Sequence, residues 1–233
     1  SYGEILLKHT NRILQELKDI ELEIGDTVDE RARTVTFSLY AASKLLPELV
    51  MAFKNEYPAI RLQISQENLN RIHPDECDLT LFSSMQPCIQ DHAVTLIEEE
   101  ILLALPDSNP LSKRECLNLS EVAGEEFICL QQGKSLRTIT DMFCQLAGFE
   151  PSVVLESDSP ETVRELIRAG IGISFIPSIT WQGMDTKNIV LVPISFPQCR
   201  RYINLSWRST GYLPPAAILF RDFVQNYFKK FER

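Results

Sequence analysis

Apolar residues recur at helical spacing through the first stretch of the chain, at Leu6, Ile13, Leu17, Ile20 and Ile24, with Lys8, Arg12, Glu16 and Lys18 between them. A stripe that repeats at intervals of three and four predicts a helix over residues 5–24 with one apolar face. Gly25-Asp26 ends it before the first strand signal. Such a helix either packs on its own domain or protrudes and pairs with a partner along that seam.

The pattern then switches between periods. Thr34–Phe37 reads as a strand, Leu45, Leu46, Leu49, Val50 and Phe53 as a helix face stopped by Tyr57-Pro58, and 60–64 alternates apolar and polar as a half-exposed strand does. Residues 78–82 form a third short strand, and 95–105 are extended up to the turn-rich Pro106–Pro110. The second half repeats this grammar. Residues 127–130 are a strand, Leu136, Ile139, Met142, Phe143 and Leu146 a helix face ended by Gly148, and 153–155 a strand. Ser159-Pro160 then supplies an N-cap and a first-turn proline for a helix through Val163, Leu166 and Ile167, which stops at Gly170 before strand 173–176. Strands at 189–194 and 202–207 precede Pro214-Pro215 and a closing helix with Ala217, Phe220, Val224, Tyr227 and Phe231 on one face. Strand and helix alternating twice predict an α/β chain of two Rossmann-like subdomains with mostly parallel sheets. Residues 96–105 and 201–208 are placed to cross between them around a cleft. The expected organisation is a helix at 1–25, a first subdomain of 32–101 and 206–233, and a second of 102–205.

At 233 residues, 44% apolar and mean hydropathy −0.08, the chain has the composition of a folded soluble protein. Its apolar runs fall far short of the roughly 20 residues that span a bilayer, so no membrane partner is expected. The start has neither a basic nor a long apolar region, so a cytoplasmic location and a trimmed N-terminus are expected. The six cysteines have no C-x-x-C pair and no histidine at ligand spacing, so neither a metal nor a redox site is read from them. The net charge of −9 includes 13 acidic against 6 basic residues over 26–105, and no basic stripe exists to neutralise phosphates. This chain by itself is not expected to bind nucleic acid. The run Glu98-Glu99-Glu100 reads as a solvated strand end.

In open α/β sheets, ligands bind beyond the carboxyl ends of the strands, where helix N-termini present unpaired N–H groups. The turns so placed are Ser38-Leu39-Tyr40, Gln66-Glu67-Asn68, Ser83-Ser84, Gln131 to Ser135, and Ser157-Asp158-Ser159. Their small, hydroxyl and amide side chains suit hydrogen bonding to a small polar ligand and hold nothing that activates a nucleophile. Ser38, Ser120, Ser135 and Ser159 can equally serve as helix caps. Lys134 and Arg137 either complement an anion or lie in solvent. No Gly-x-Ser-x-Gly elbow, phosphate-binding loop or His-Glu-x-x-His motif is present, so neither an enzyme nor a cofactor is expected. An enzyme on this fold would need a carboxylate in the cleft, and Glu67 is the one to test.

Ala41-Ala-Ser-Lys-Leu-Leu-Pro47 with Phe53 and Tyr57-Pro58, Asp78-Leu79, Leu105-Pro106 with Asn109-Pro110-Leu111, and above all the stretch Glu161-Thr-Val-Arg-Glu-Leu-Ile-Arg-Ala-Gly-Ile-Gly-Ile-Ser-Phe-Ile-Pro177 resemble LysR-type transcriptional regulators. The resemblance covers essentially the whole chain. It implies a linker helix followed by an effector-binding domain similar to type II periplasmic solute-binding proteins, with the winged helix-turn-helix domain outside this chain. It further implies a small-molecule effector in the cleft, a homodimer or homotetramer, and contact with promoter DNA through that missing domain. By position, Ser38 and Tyr40 match the family's first effector turn, Ser83 its third, Gln131 the turn of the second subdomain, and Ser159 with Thr162 the capped-helix turn. Peroxide-sensing members carry two cysteines in the stretch 133–144. Cys144 matches the second, but Ser135 stands where the reactive one belongs, and a serine forms neither a sulfenic acid nor a disulfide. The alternative is a free-standing solute-binding protein of the same fold, which would require an export signal or lipid anchor.

Overall fold

The computed structural model describes residues 33–66, 77–183, 185–209 and 212–231, together with Tyr2, Gly3, Leu6, His9, Thr10, Ile13, Leu17 and Ile20, each of which is helical. Chain order then runs β1 (Thr34–Leu39), α1 (Leu46–Glu56), β2 (Arg61–Ser65), β3 (Leu79–Ser84), β4 (Ile89–Gln90), β5 (Ala93–Pro106), β6 (Leu117–Asn118) and β7 (Glu126–Leu130). It continues with α2 (Ser135–Leu146), β8 (Ser152–Ser157), α3 (Pro160–Arg168), β9 (Ser174–Pro177), β10 (Ile189–Val192), β11 (Ile194–Phe196), β12 (Arg200–Trp207) and α4 (Pro215–Phe228). The predicted strand 189–194 is thus two strands broken at Pro193, whose ring removes a ladder donor.

Local chemistry sets the helix ends. Tyr57 leaves the helical region at φ −125°, ψ 66°, as a residue before proline must. Ser159 Oγ accepts from Thr162 N at 3.3 Å with Pro160 in the first turn. Gly148 closes α2 at φ +88°, a conformation costly for any residue with a Cβ. Ser120 does not cap, because Asn118 and Glu121 form the reciprocal box there and Ser120 Oγ merely donates to Asn118 Oδ1.

The main sheet is mixed rather than mostly parallel, while the two-stranded sheets β7–β8 and β6–β11 are parallel. Among the described residues, one sheet runs in the order β10-β5-β12-β3-β1-β2, with β4 and β9 also on β5. Only β1–β2 and β1–β3 are parallel in it, whereas β12 is antiparallel to both β3 and β5, and β9 and β10 are antiparallel to β5. The cause is the 14-residue β5. Its first half pairs with β12, running the other way, and its second half pairs with β9 and β10, so the two crossing strands tie both halves into one ladder.

Two apolar cores lie on either side of those crossings. One gathers Val35, Phe37, Phe53, Leu81, Ile203 and Phe220; the other gathers Leu103, Phe127, Phe143, Ile167, Phe175 and Trp181. The last helix returns to the first core, with Phe220 edge-on to Phe37 at 5.1 Å and to Phe53 at 4.7 Å. Fully burying each such ring is worth about 1.5–3 kcal/mol. In the second core, Gly172 allows β7 and the approach to β9 to touch: a Cβ there would lie 2.5 Å from the Glu126 carbonyl oxygen. Among the described residues no helix is long and apolar enough to cross a membrane.

Candidate functional site

A cavity of about 500 Å³ opens between the two cores, a size that suits a small-molecule ligand. Three chain segments converge on it. The turn after β1 enters with Ala42 at φ +58° and a short 3-10 turn over Ser43–Leu45, and it presents Tyr40, Ser43 and Lys44. The start of α2 supplies Gly133, Lys134 and Ser135, and the start of α3 supplies Asp158, Ser159 and Glu161. Both helices point their N-termini, the positive ends of their dipoles, at the same space. Trp181 and the Arg201 side chain complete the lining.

The floor is a buried ion pair. Arg201 Nε donates to Glu99 Oε1 at 2.8 Å, with both side chains no more than 2% exposed. Glu99 also accepts from Ile179 N at 3.0 Å and from Thr180 N and Oγ1 at 2.8 and 3.0 Å. Arg201 Nη2 donates to Thr180 Oγ1 at 2.8 Å, and Nη1 reaches Ser83 Oγ at 3.5 Å. From Ser83 the chain of bonds crosses the cleft, because Ser83 Oγ donates to Ser135 Oγ at 2.9 Å and Ser135 Oγ donates to the Tyr40 carbonyl at 3.0 Å. Lys44 Nζ, donating to the Gln182 carbonyl at 2.7 Å, makes a second bond across it.

Glu99 therefore overturns the expectation of a solvated acidic run. Strand alternation turns Glu99 away from Glu98 and Glu100 and toward Arg201 on β12, while Glu98 pairs outside with Arg200 at 2.7 Å. Arg137 is neither in solvent nor offered to an anion. It is buried, with Nε on Asp141 at 2.8 Å and Nη1 on Glu156 at 2.5 Å and the Leu130 carbonyl at 3.0 Å. Ser135 is the first residue of α2 rather than its cap, which leaves its hydroxyl for the bridge to Tyr40.

Of the residues singled out from the sequence, Leu39, Tyr40, Gln66, Gly133, Lys134, Ser135, Asp158 and Ser159 line the cavity. Ser83 is buried and reaches the wall through Ser135. Ser38 lies beneath it, fully buried, with its hydroxyl 2.8 Å from Ser65 Oγ and 2.9 Å from Cys77 Sγ. Gln131 and Thr162 are exposed and contribute through the backbone: Gln131 N donates to the Ser157 carbonyl, and Thr162 N is held by the Ser159 cap. Glu67 lies outside the described residues. Sequence reasoning missed Lys44, Trp181 and Arg201. Arg201 had a legible signal, an arginine on one crossing strand opposite an acidic run on the other. Lys44 and Trp181 had none, because only the closing of the two halves brings them together.

Neither histidine nor cysteine is among the described residues that line the cavity. The buried thiols lie elsewhere in the second core and are held protonated, Cys129 pushed up to about 11 and Cys144 and Cys199 to about 12, mainly by burial. Among the described residues no three His, Cys, Asp or Glu side chains are grouped as metal ligands.

Comparison with known proteins agrees with this geometry. Residues 29–229 match the LysR substrate binding domain. The chain is 30% identical over 235 residues to the uncharacterized HTH-type transcriptional regulator YybE of Bacillus subtilis strain 168, covering 98% of this chain and 80% of that protein. The effector binding domain of QuiR in complex with shikimate superposes with a TM-score of 0.68 at 21% identity over 84% of this chain and 97% of that one. The regulatory domain of Synechocystis PCC6803 CcmR in complex with 2-PG does so with 0.73 at 18% identity, over 84% and 97%. These likenesses favour a regulator's domain over a free-standing solute-binding protein. The chain belongs to the LysR family of transcriptional regulators, whose effector-binding domain it carries.

Proposed function

We propose that this domain binds a small anionic effector in the cleft between its two cores and that the bound state alters how a dimeric or tetrameric regulator holds promoter DNA. One observation carries the reading: the N-termini of α2 and α3 both open on the same cavity, with Lys134 beside them. Dipole ends and orphan N–H groups favour an anion there. QuiR and CcmR are each named as complexes with a small molecule, which supports a ligand-holding role on this fold.

The two units, 32–101 with 206–233 and 102–205, move about β5 and β12, and the Ser83–Ser135–Tyr40 and Lys44–Gln182 bonds are what an effector rearranges. The described positions of the N-terminal segment put Leu6, Ile13, Leu17 and Ile20 on an exposed stripe spaced at seven and four or three residues, the seam of a helix pair. The reading head for DNA belongs to a domain outside this chain, the domain performs no catalysis, and its setting is cytoplasmic.

The test is a thermal-shift screen of the chain against small organic acids, amino acids, aromatic carboxylates and inorganic anions. A ligand at about 100 times its Kd adds roughly 2.7 kcal/mol, or about 5–10 °C for a chain of this length. The shift should be lost in Lys134→Gln. Ligands that stabilise the chain equally in that variant would place the site elsewhere.

A further inference from the structure

Between β9 and β10 the chain makes a tight turn that reaches into both halves of the molecule. Gln182 N donates to the Ile179 carbonyl at 3.0 Å and closes the turn on itself. The two apolar side chains it carries diverge: half-buried Ile179 packs against the first core, whereas buried Trp181 belongs to the second. Thr180, fully buried between them, ties the turn to both crossing strands. Its N–H and hydroxyl donate to Glu99 of β5, and its oxygen accepts from Arg201 Nη2 of β12. Ile179 N adds a bond to the same carboxylate, and Ser178 N one to the Glu100 carbonyl at 2.9 Å.

Each unit also grips the turn from its own side. Lys44, in the turn before α1, donates from Nζ to the Gln182 carbonyl at 2.7 Å. From the second unit, Arg164 of α3 lies with its Cζ 5.4 Å from the centre of the ring of Trp181, which lines the cavity. Bending the backbone between Ile179 and Trp181 would strip donors from Glu99 and leave a carboxylate that has no exposure short of partners. The turn therefore moves as one piece.

We infer that the Ile179–Gln182 turn is a rigid lever between the two cores, so that a displacement of Trp181 at the cleft wall carries Ile179 with it and resets the angle between the units. β5 and β12 then supply the pivot and this turn the transmission. Packed cores relay such shifts because they change between discrete arrangements instead of deforming smoothly. What displaces Trp181 rests on the cleft reading above, but the coupling itself is measurable in the ligand-free chain, so either can fail without the other. Coupling between two ends is reciprocal, and loosening the turn at one of them is felt at the other.

The test is amide hydrogen exchange of the full chain, followed peptide by peptide in a mass spectrometer. Ile179→Ala shortens the arm in the first core and should speed exchange at least about fivefold in residues 162–168 of α3, in the second unit. Lys44→Met, which releases Gln182 and lies outside both apolar cores, should do the same in 178–183 and 162–168. Trp181→Leu should act in the reverse direction, on residues 46–53 of α1. In all three variants, residues 142–146 of α2 and 224–228 of α4 should keep the parent's rates. Faster exchange only on the mutated side, or no change at all, would overturn the lever. A uniform rise through both cores would be a loss of overall stability and would overturn it as well. Where Trp181→Leu disturbs folding, the half-buried Lys44 position keeps the answer readable.

Discussion

Replacing Glu99 by leucine should be the most damaging single change at the cleft floor, and more damaging than removing its partner. Glu99 accepts four hydrogen bonds, from Ile179 N, Thr180 N, Thr180 Oγ1 and Arg201 Nε. Without it, Arg201 keeps its charge in a site where the side chain is 2% exposed, with no carboxylate in contact and only Thr180 and a long 3.5 Å approach to Ser83 as acceptors. Breaking a buried pair from one side costs about 3–5 kcal/mol. For a chain of this length each kcal/mol is worth about 2–4 °C, so Glu99→Leu should lower Tm by roughly 6–20 °C in a thermal melt. Arg201→Met removes the cation but leaves Glu99 three donors, two of them backbone N–H groups, and should cost clearly less. Glu99→Leu combined with Arg201→Met should recover part of the loss, since no unpaired charge remains. A Tm drop under about 3 °C for Glu99→Leu, or an equal or larger loss for Arg201→Met, would refute the view that the pair is held as a buried charge network.

Three further outcomes follow from other parts of the molecule. Thiol-specific reagents at neutral pH should modify the exposed Cys116 and spare Cys129, Cys144 and Cys199 in the folded chain, read by mass spectrometry; because burial raises these three thiols to about 11–12, the unfolded chain loses their protons first and stability should fall as pH rises from about 9 toward 12. Rapid modification of Cys144 at pH 7 would contradict this. Gly172→Ala should destabilise the second core, since its Cβ would meet the Glu126 backbone oxygen at 2.5 Å and backbone cannot easily yield; an overpacking cost of about 1–3 kcal/mol should appear as a lower denaturant midpoint. Ile13→Asp with Leu17→Glu, on the exposed stripe, should shift the chain toward monomer in analytical ultracentrifugation while leaving its melting profile intact; an unchanged mass would remove that helix as the pairing surface.

Much of this protein was written in local signals. Helix limits at Tyr57-Pro58, Ser159-Pro160 and Gly148 follow from a missing N–H, a hydroxyl cap and a permitted positive φ, all of which depend only on near neighbours. The strand-helix alternation gave two cores, and two extended stretches near 96–105 and 201–208 did become the crossings β5 and β12. Burial of particular polar residues was not legible, because it depends on what stands opposite. Glu99 looks like its neighbours Glu98 and Glu100 until β12 is paired in register and Arg201 faces it. The same holds for strand direction: β5 is long enough to serve both halves, and its antiparallel pairing with β12, β9 and β10, beside the parallel β1–β2 and β1–β3 pairs, makes the sheet mixed. At the cleft, the sequence named the turns because helices that follow strands start there, and Leu39, Tyr40, Lys134, Ser135 and Ser159 duly line it. Lys44 and Gln182 are far apart in the chain, one in the turn before α1 and the other after β9. Their meeting is a property of how the two cores close on each other, a long-range contact that no local periodicity encodes.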